Sequence, residues 1–170
     1  MSDSLGLARG TVSLREYDPA WPKLFEAERD RLREWLPDAV AIEHVGSTAV
    51  PGLAAKPVLD ITVALPSLAH ARAHRARLEA EGYEYRPNDP VIDRAFYAKG
   101  PRDCRTHYLS LTAFGSDTWR DQLEFRDALR GSEELRAEYE ALKRRLASAH
   151  AGERGRYTRE KADFIERVLD

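Results

Sequence analysis

The segment that most restricts the fold is IEHVGSTAVPGLAAKPVLDITVAL, residues 42–65. Two strand-like runs, AVAIEHV and VLDITVAL, flank a loop that opens on Gly46-Ser47 and ends on Lys56-Pro57. β-Branched and aliphatic residues favour strands on both sides, and Gly and Pro interrupt them. Side chains alternate across a strand, so Asp60 and Thr62 share one face while Leu59, Ile61 and Val63 share the other. A single carboxylate therefore stands in an otherwise apolar strand. It is either a solvated or turn-directed aspartate at an edge, or a metal-binding or catalytic carboxylate. In the loop before it, Gly46 can bring backbone close to a ligand, Ser47 and Thr48 offer hydroxyls, and Lys56 offers a point charge for phosphate. The loop is not of the Walker type, because Gly52 is followed by Leu53 rather than Lys.

The rest of the chain supplies partners for these strands. Asp18 at an N-cap and Pro19 at the first helical position open a helix over residues 19–36. SLAHARAHRARLEAEGY reads as a second helix, closed near Gly82. YEYRP, RAFYAKG and RTHYLSLTAF read as strands, and TVSLREY as a short one. Three helices follow, over residues 118–130 after Asp117, 133–150 after Ser132, and 158 to the C-terminus. This order predicts an α+β fold, a mixed sheet covered by helices with a helical C-terminal part. Residues 1–11, MSDSLGLARGT, lack periodicity and are expected to be a loose terminus, leaving 12–170 as one domain.

Charge narrows the partners. The chain carries 27 Lys and Arg against 29 Asp and Glu, a formal net of -2, so the whole-molecule field gives no reason to expect nucleic acid. The KRR run at 143–145 reads as a solvated helical face. Cys104 has no second cysteine to pair with, no exporting segment opens the chain, and no apolar run approaches membrane-spanning length. These features point to a reducing cytoplasm.

Several charged residues break the apolar stripes of their helices. Glu28 falls between Leu24 and Leu32, Arg126 between Leu123 and Leu129, and Lys161 between Tyr157 and Ile165. Burying an isolated charge costs several kcal/mol, on the order of 3 to 5 when a partner is stranded, so such groups pair or face a polar cleft. Either Glu28 pairs with Arg126 or Lys161, or these helices wall a cleft for an anionic ligand. In RTHYLSL, Arg105 and His107 share a face with Leu109 and Leu111. His107 is either a satisfied core histidine or a base, and the same choice holds for His44.

The motifs EHVGSTAVPGLAAKPVLDITV, RTHYLSL, WRDQLEFRDALR, EYEALKRRLA and RYTREKADFI, in this order, resemble the GrpB family, whose fold is nucleotidyltransferase-like. The resemblance covers residues 12–170. The wider nucleotidyltransferase superfamily implies a Gly-Ser turn after one strand, paired acids on the next, and a third acid on a later one. Those acids hold two magnesium ions around a nucleoside triphosphate. Gly46, Ser47 and Asp60 match that pattern, whereas Thr62 occupies the second acid's position and the later strand offers His107.

The resemblance thus implies a metal-dependent transferase for a nucleotide or other anionic small molecule. In it Asp60 and His107 are catalytic, Asp60 and Glu28 hold Mg or Mn, and Gly46, Ser47, Thr48, Lys56, Arg105, Arg126 and Lys161 bind the ligand. The alternative is a catalytically degenerate binding or regulatory module. GrpB-type domains also occur fused to dephospho-CoA kinase, which implies a link to coenzyme A metabolism and a kinase partner.

Overall fold

The computed structural model describes residues 4–8, 14–148 and 154–170, with the helical backbone alone over 154–158. Its elements are β1 (Leu7–Ala8), α1 (Ala20–Trp35), β2 (Ala41–Val45), a 3-10 turn (Ser47–Ala49), β3 (Leu59–Leu65), a second 3-10 turn (Leu68–His70) leading into α2 (Ala71–Ala80), β4 (Tyr83–Tyr85), β5 (Arg94–Lys99), β6 (Cys104–Arg105), β7 (His107–Ala113), α3 (Asp117–Gly131), α4 (Glu133–Ala147) and α5 (Arg154–Leu169). Five strands form one mixed sheet in the order β2-β3-β7-β5-β4, in which β3 and β7 are parallel and the other pairs antiparallel. The expected α+β architecture is the observed one. Among the described residues no helix is long and apolar enough to cross a membrane.

The helix caps follow local chemistry. Asp18 accepts a hydrogen bond from Ala20 N–H at 2.8 Å although Pro19 occupies the cap position. Ser132 caps α4 through Leu135 N–H. α3 begins one residue earlier than expected, because the Ser116 hydroxyl accepts from Trp119 N–H and so takes the capping role assigned to Asp117.

Register decides what each face of the sheet carries. Asp60 lies opposite Tyr108 and Val45, while Leu59 lies opposite His107. On the His107 face, Leu59, Ile61, Val63, Leu65, Leu109 and Leu111 pack against Trp21, Phe25 and Leu32 of α1 and Leu78 of α2. A second core joins Val50 and Leu53 of the loop after β2 to Phe125 and Leu129 of α3, Tyr139 of α4 and Phe164 of α5. The Asp60 face looks toward this second core, across a gap.

The N-terminal stretch departs from expectation. β1 pairs with β6, Gly6 N–H bonds Pro57 O at 2.8 Å, and Trp21 Nε1 donates to Ser4 O at 2.9 Å, so residues 4–8 are tied to the body rather than loose. Residues 1–3 and 9–13 lie outside the described residues, so of the short strand expected at 11–17 only an isolated bridge between Arg15 and Ala55 is seen. His150 and the Tyr157 side chain, the latter placed above on the apolar stripe of the last helix, also lie outside them.

Candidate functional site

The cleft begins where β2 ends. Gly46 has φ +72°, a conformation that disfavours side chains, and a Cβ there would stand 2.4 Å from Asp60 Oδ2. Only glycine lets the backbone lie against that carboxylate. The next residue, Ser47, opens the 3-10 turn, and its Oγ accepts a hydrogen bond of 2.7 Å from Lys143 Nζ. Gly46, Ser47 and Asp60 share a cleft of about 240 Å³. Its sheet wall is Arg94, Phe96, Tyr108 and Ser110, and its helical wall includes Asp121, Tyr139 and Lys161. Phe96 and Tyr108 stack with ring centroids 5.5 Å apart, and the Arg94 guanidinium lies 4.3 Å from the Phe96 centroid.

The electrostatics of the cleft are unusual. Burial pushes the Asp60 carboxyl up to about 6, against the opposing pull of Lys161, Lys56, Arg94 and Lys143. Burial lowers the Lys143 amine to about 7, and Lys161 and Lys56 push in the same direction while Asp60 and Glu140 resist. Two groups of opposite sign are thus brought close to neutrality in one place. Arg94 is gripped by Asp89 through two bonds of 2.7 and 2.8 Å, and Lys56, Lys143 and Lys161 act on Asp60 beside it.

Lys143 is a site residue that the sequence pattern does not single out. Its KRR run reads as a solvated face, yet Lys143 is 3% exposed, while its neighbours Arg144 and Arg145 are exposed. The available signal was its spacing, four residues beyond the buried Tyr139 on the inner face of α4.

Other expected site residues go elsewhere. His107 and Glu28 occupy the opposite face of the sheet from Asp60, because parallel pairing sets His107 beside Leu59 and Tyr108 beside Asp60. There the buried Glu28 accepts from Tyr83 Oη at 2.5 Å, Lys99 Nζ at 2.8 Å and Arg31 at 2.9 Å, with His107 Nε2 at 3.9 Å. Burial would raise the Glu28 carboxyl, but the bonds from Lys99 and Tyr83 outweigh it and hold the group low. Burial pushes His107 down to about 4. The internal ion pair expected for Glu28 exists, but with Lys99 and Arg31 rather than Arg126 or Lys161.

Arg126 bonds Glu43 at 2.6 Å and His44 O at 3.1 Å, bracing α3 against β2. Arg105 bonds Glu84 at 2.6 Å and Gly100 O at 2.8 Å. The Thr48 hydroxyl is buried against His44 Nε2 at 2.8 Å and faces the protein, not the cleft. Of the expected set, Gly46, Ser47, Asp60 and Lys161 line the cleft, and Lys56 acts on Asp60 as a charge.

A two-magnesium centre needs several acids around one point. Thr62 is fully buried with its hydroxyl directed at Ser110 O, Asp60 is surrounded by cations, and among the described residues no three His, Cys, Asp or Glu side chains gather to hold a metal. The donor set does not fit Mg or Mn, and Glu28 is already saturated by its own partners.

Comparison with known proteins bears on the fold and the family. The Cid1 poly(U) polymerase superposes over 76% of this chain and 42% of its own with a TM-score of 0.52 at 15% identity, a likeness of fold alone. An 81-residue stretch covering 45% of this chain is 41% identical to a dephospho-CoA kinase of Mycolicibacterium paratuberculosis, of which it spans 20%. A UPF0157 protein of Halalkalibacterium halodurans is 36% identical over 94% of this chain and 81% of its own length. The glutamate-rich protein GrpB of Alkalihalophilus pseudofirmus is 31% identical over 98% of both. The crystal structure of the conserved protein GrpB from Enterococcus faecalis matches with a TM-score of 0.76 at 30% identity, over 93% of this chain and all of that one. With the GrpB protein family model matching residues 11–170 as well, the chain belongs to the GrpB family.

Proposed function

We propose that this chain binds a nucleotide or another phosphorylated or carboxylated small molecule in the cleft beside Asp60. The observation that carries the reading is the convergence of Lys56, Lys143 and Lys161 on one carboxylate. Only five of the 27 cationic residues of the chain are lysines, so three of the five meet here. Cations gathered around one buried carboxylate give that end of the cleft a positive field that draws an anion. Ser47, Ser110 and Tyr108 add hydroxyls, and Phe96 adds a flat apolar surface.

A transferase is the reading closest to the fold. The absence of an acid at Thr62 favours a binding or regulatory module instead, and similarity to part of a dephospho-CoA kinase makes coenzyme A precursors reasonable ligands and a kinase a reasonable partner. Thermal-shift titration with pyrophosphate, nucleoside triphosphates and phosphorylated coenzyme A precursors, with and without magnesium or manganese, tests the proposal, since a ligand bound to the native state raises its stability by mass action. A saturable rise lost in Lys161→Gln and kept in Arg120→Gln is expected. Absence of any anion effect, or an equal effect in Lys161→Gln, would sink it.

A further inference from the structure

The geometry points to a second property of the same cleft: Ser47 and Lys143 form a nucleophile and its general base, suited to attack on the acyl carbon of an ester or thioester that carries an anionic group. Ser47 Oγ lies on the cleft surface, and Lys143 Nζ is 2.7 Å away, within the reach such a pair requires. The amine is withdrawn from water on the inner side of α4, with the Tyr139 ring centroid 5.0 Å away. Gly46 fixes the turn that presents the hydroxyl, because its left-handed backbone is locked against Asp60.

The choice of lysine is informative in a chain that uses arginine for 22 of its 27 cations. Arginine cannot surrender its proton inside a protein, whereas a buried lysine can. A general base at this position therefore has to be lysine rather than arginine. The groups acting on Lys143 are Lys161 of α5, Lys56 of the loop, Asp60 of β3 and Glu140 of its own helix, and with burial they bring the amine to about 7. Burial and the two neighbouring lysines thus favour the unprotonated amine that a base requires.

In the attack, the Lys143 amine takes the hydroxyl proton as Ser47 Oγ bonds to the acyl carbon. The carbon's bond to the leaving oxygen or sulfur breaks with its electron pair, and the Lys143 ammonium returns the proton to that atom. Water then adds to the acyl-serine by the same proton route, releasing a carboxylic acid and restoring Ser47. The substrate's anionic group rests on the ligand reading above; the nucleophile does not.

A neutral fluorophosphonate separates the two, because it phosphonylates an activated serine and expels fluoride without needing an anion site. Intact-mass and peptide-mass measurements should find one adduct, on Ser47, forming at a rate that rises with pH through about 7 and then levels. Ser47→Ala should give none. Lys143→Met and Lys143→Arg should both slow the reaction about 100-fold or more, the usual contribution of a general base. Arginine preserves charge and donor, so a merely structural lysine would leave Lys143→Arg close to wild type. No adduct on Ser47, labelling of Lys143→Arg within a few-fold of wild type, or a rate flat in pH would each overturn the proposal. The wild-type pH profile decides the matter if the variants fail to fold. Protection of Ser47 by pyrophosphate reports separately on the anion site.

Discussion

The two faces of the sheet hold nearly the same ingredients and put them to opposite use. On one face Glu28 meets Lys99, Arg31, Tyr83 and His107; on the other Asp60 meets Lys56, Lys143, Lys161 and Arg94. Glu28 receives direct hydrogen bonds, which hold its charged form and cement α1 to the sheet. Asp60 is acted on by its cations as charges, and its burial wins, so its carboxyl rises. The first cluster is closed within the core, whereas the second gathers several cations around one carboxylate at a cleft. Internal ion pairs of the first kind hold a fold together, and a carboxylate with a strongly shifted titration beside a cleft, the second kind, is a pattern common at functional sites.

The largest effect is expected at Glu28. Glu28→Ala strands Lys99 and the Tyr83 hydroxyl and should cost about 3 to 5 kcal/mol in urea unfolding, with pyrophosphate affinity unchanged if the faces are independent. A loss of affinity without a loss of stability would show that the faces communicate.

Next in size is Gly46→Ala, which forces a side chain into a left-handed backbone and against Asp60 Oδ2. Strain and overpacking together should cost about 3 kcal/mol by denaturation. Asp60→Gly in the same chain should recover part of that loss by opening the space.

The pH dependence of the two carboxylates should run in opposite directions. The folded Asp60 carboxyl is raised from 3.8 to about 6, so its contribution is fully present below about 4 and is lost as pH rises through about 6. Relative to Asp60→Asn, wild type should lose on the order of 2 kcal/mol between pH 4 and 7, read from urea midpoints at each pH. Glu28 is lowered, so its contribution is present above its ordinary value of 4.5 and is lost as pH falls through its folded one. Comparison of wild type with Glu28→Gln should show that acid-side loss.

The smallest effect sharpens the contrast most. Lys143→Met removes a buried cation from among Lys56 and Lys161 and should leave stability at pH 6 equal to wild type or about 1 kcal/mol higher, in thermal unfolding. The same variant should lose most of the stabilisation by pyrophosphate. A large destabilisation would instead place Lys143 with Glu28, among the groups that hold the fold.

The elements and the polar residues that interrupt them are legible in the amino-acid order. Local periodicity, caps and β-branched runs define the helices and the strands of the five-stranded sheet to within a few residues, because those signals act over one turn or one pleat, whereas the small β1–β6 pair left no such signal. Gly46, Ser47 and Asp60 stood out because glycine, hydroxyl and carboxylate each broke an apolar pattern, and Glu28, Arg126 and Lys161 stood out for the same reason. Tertiary structure decided which of these share a site. A shift of one residue in the pairing of β3 with β7 reverses every side chain, so whether His107 joins Asp60 depends on a register that no local signal encodes. Lys143 lies 96 residues from Ser47 along the chain, and its place beside that hydroxyl arises only when α4 packs against the loop after β2. Periodicity reports the face on which a side chain lies, while the partner across that face is fixed by packing between elements distant in the chain.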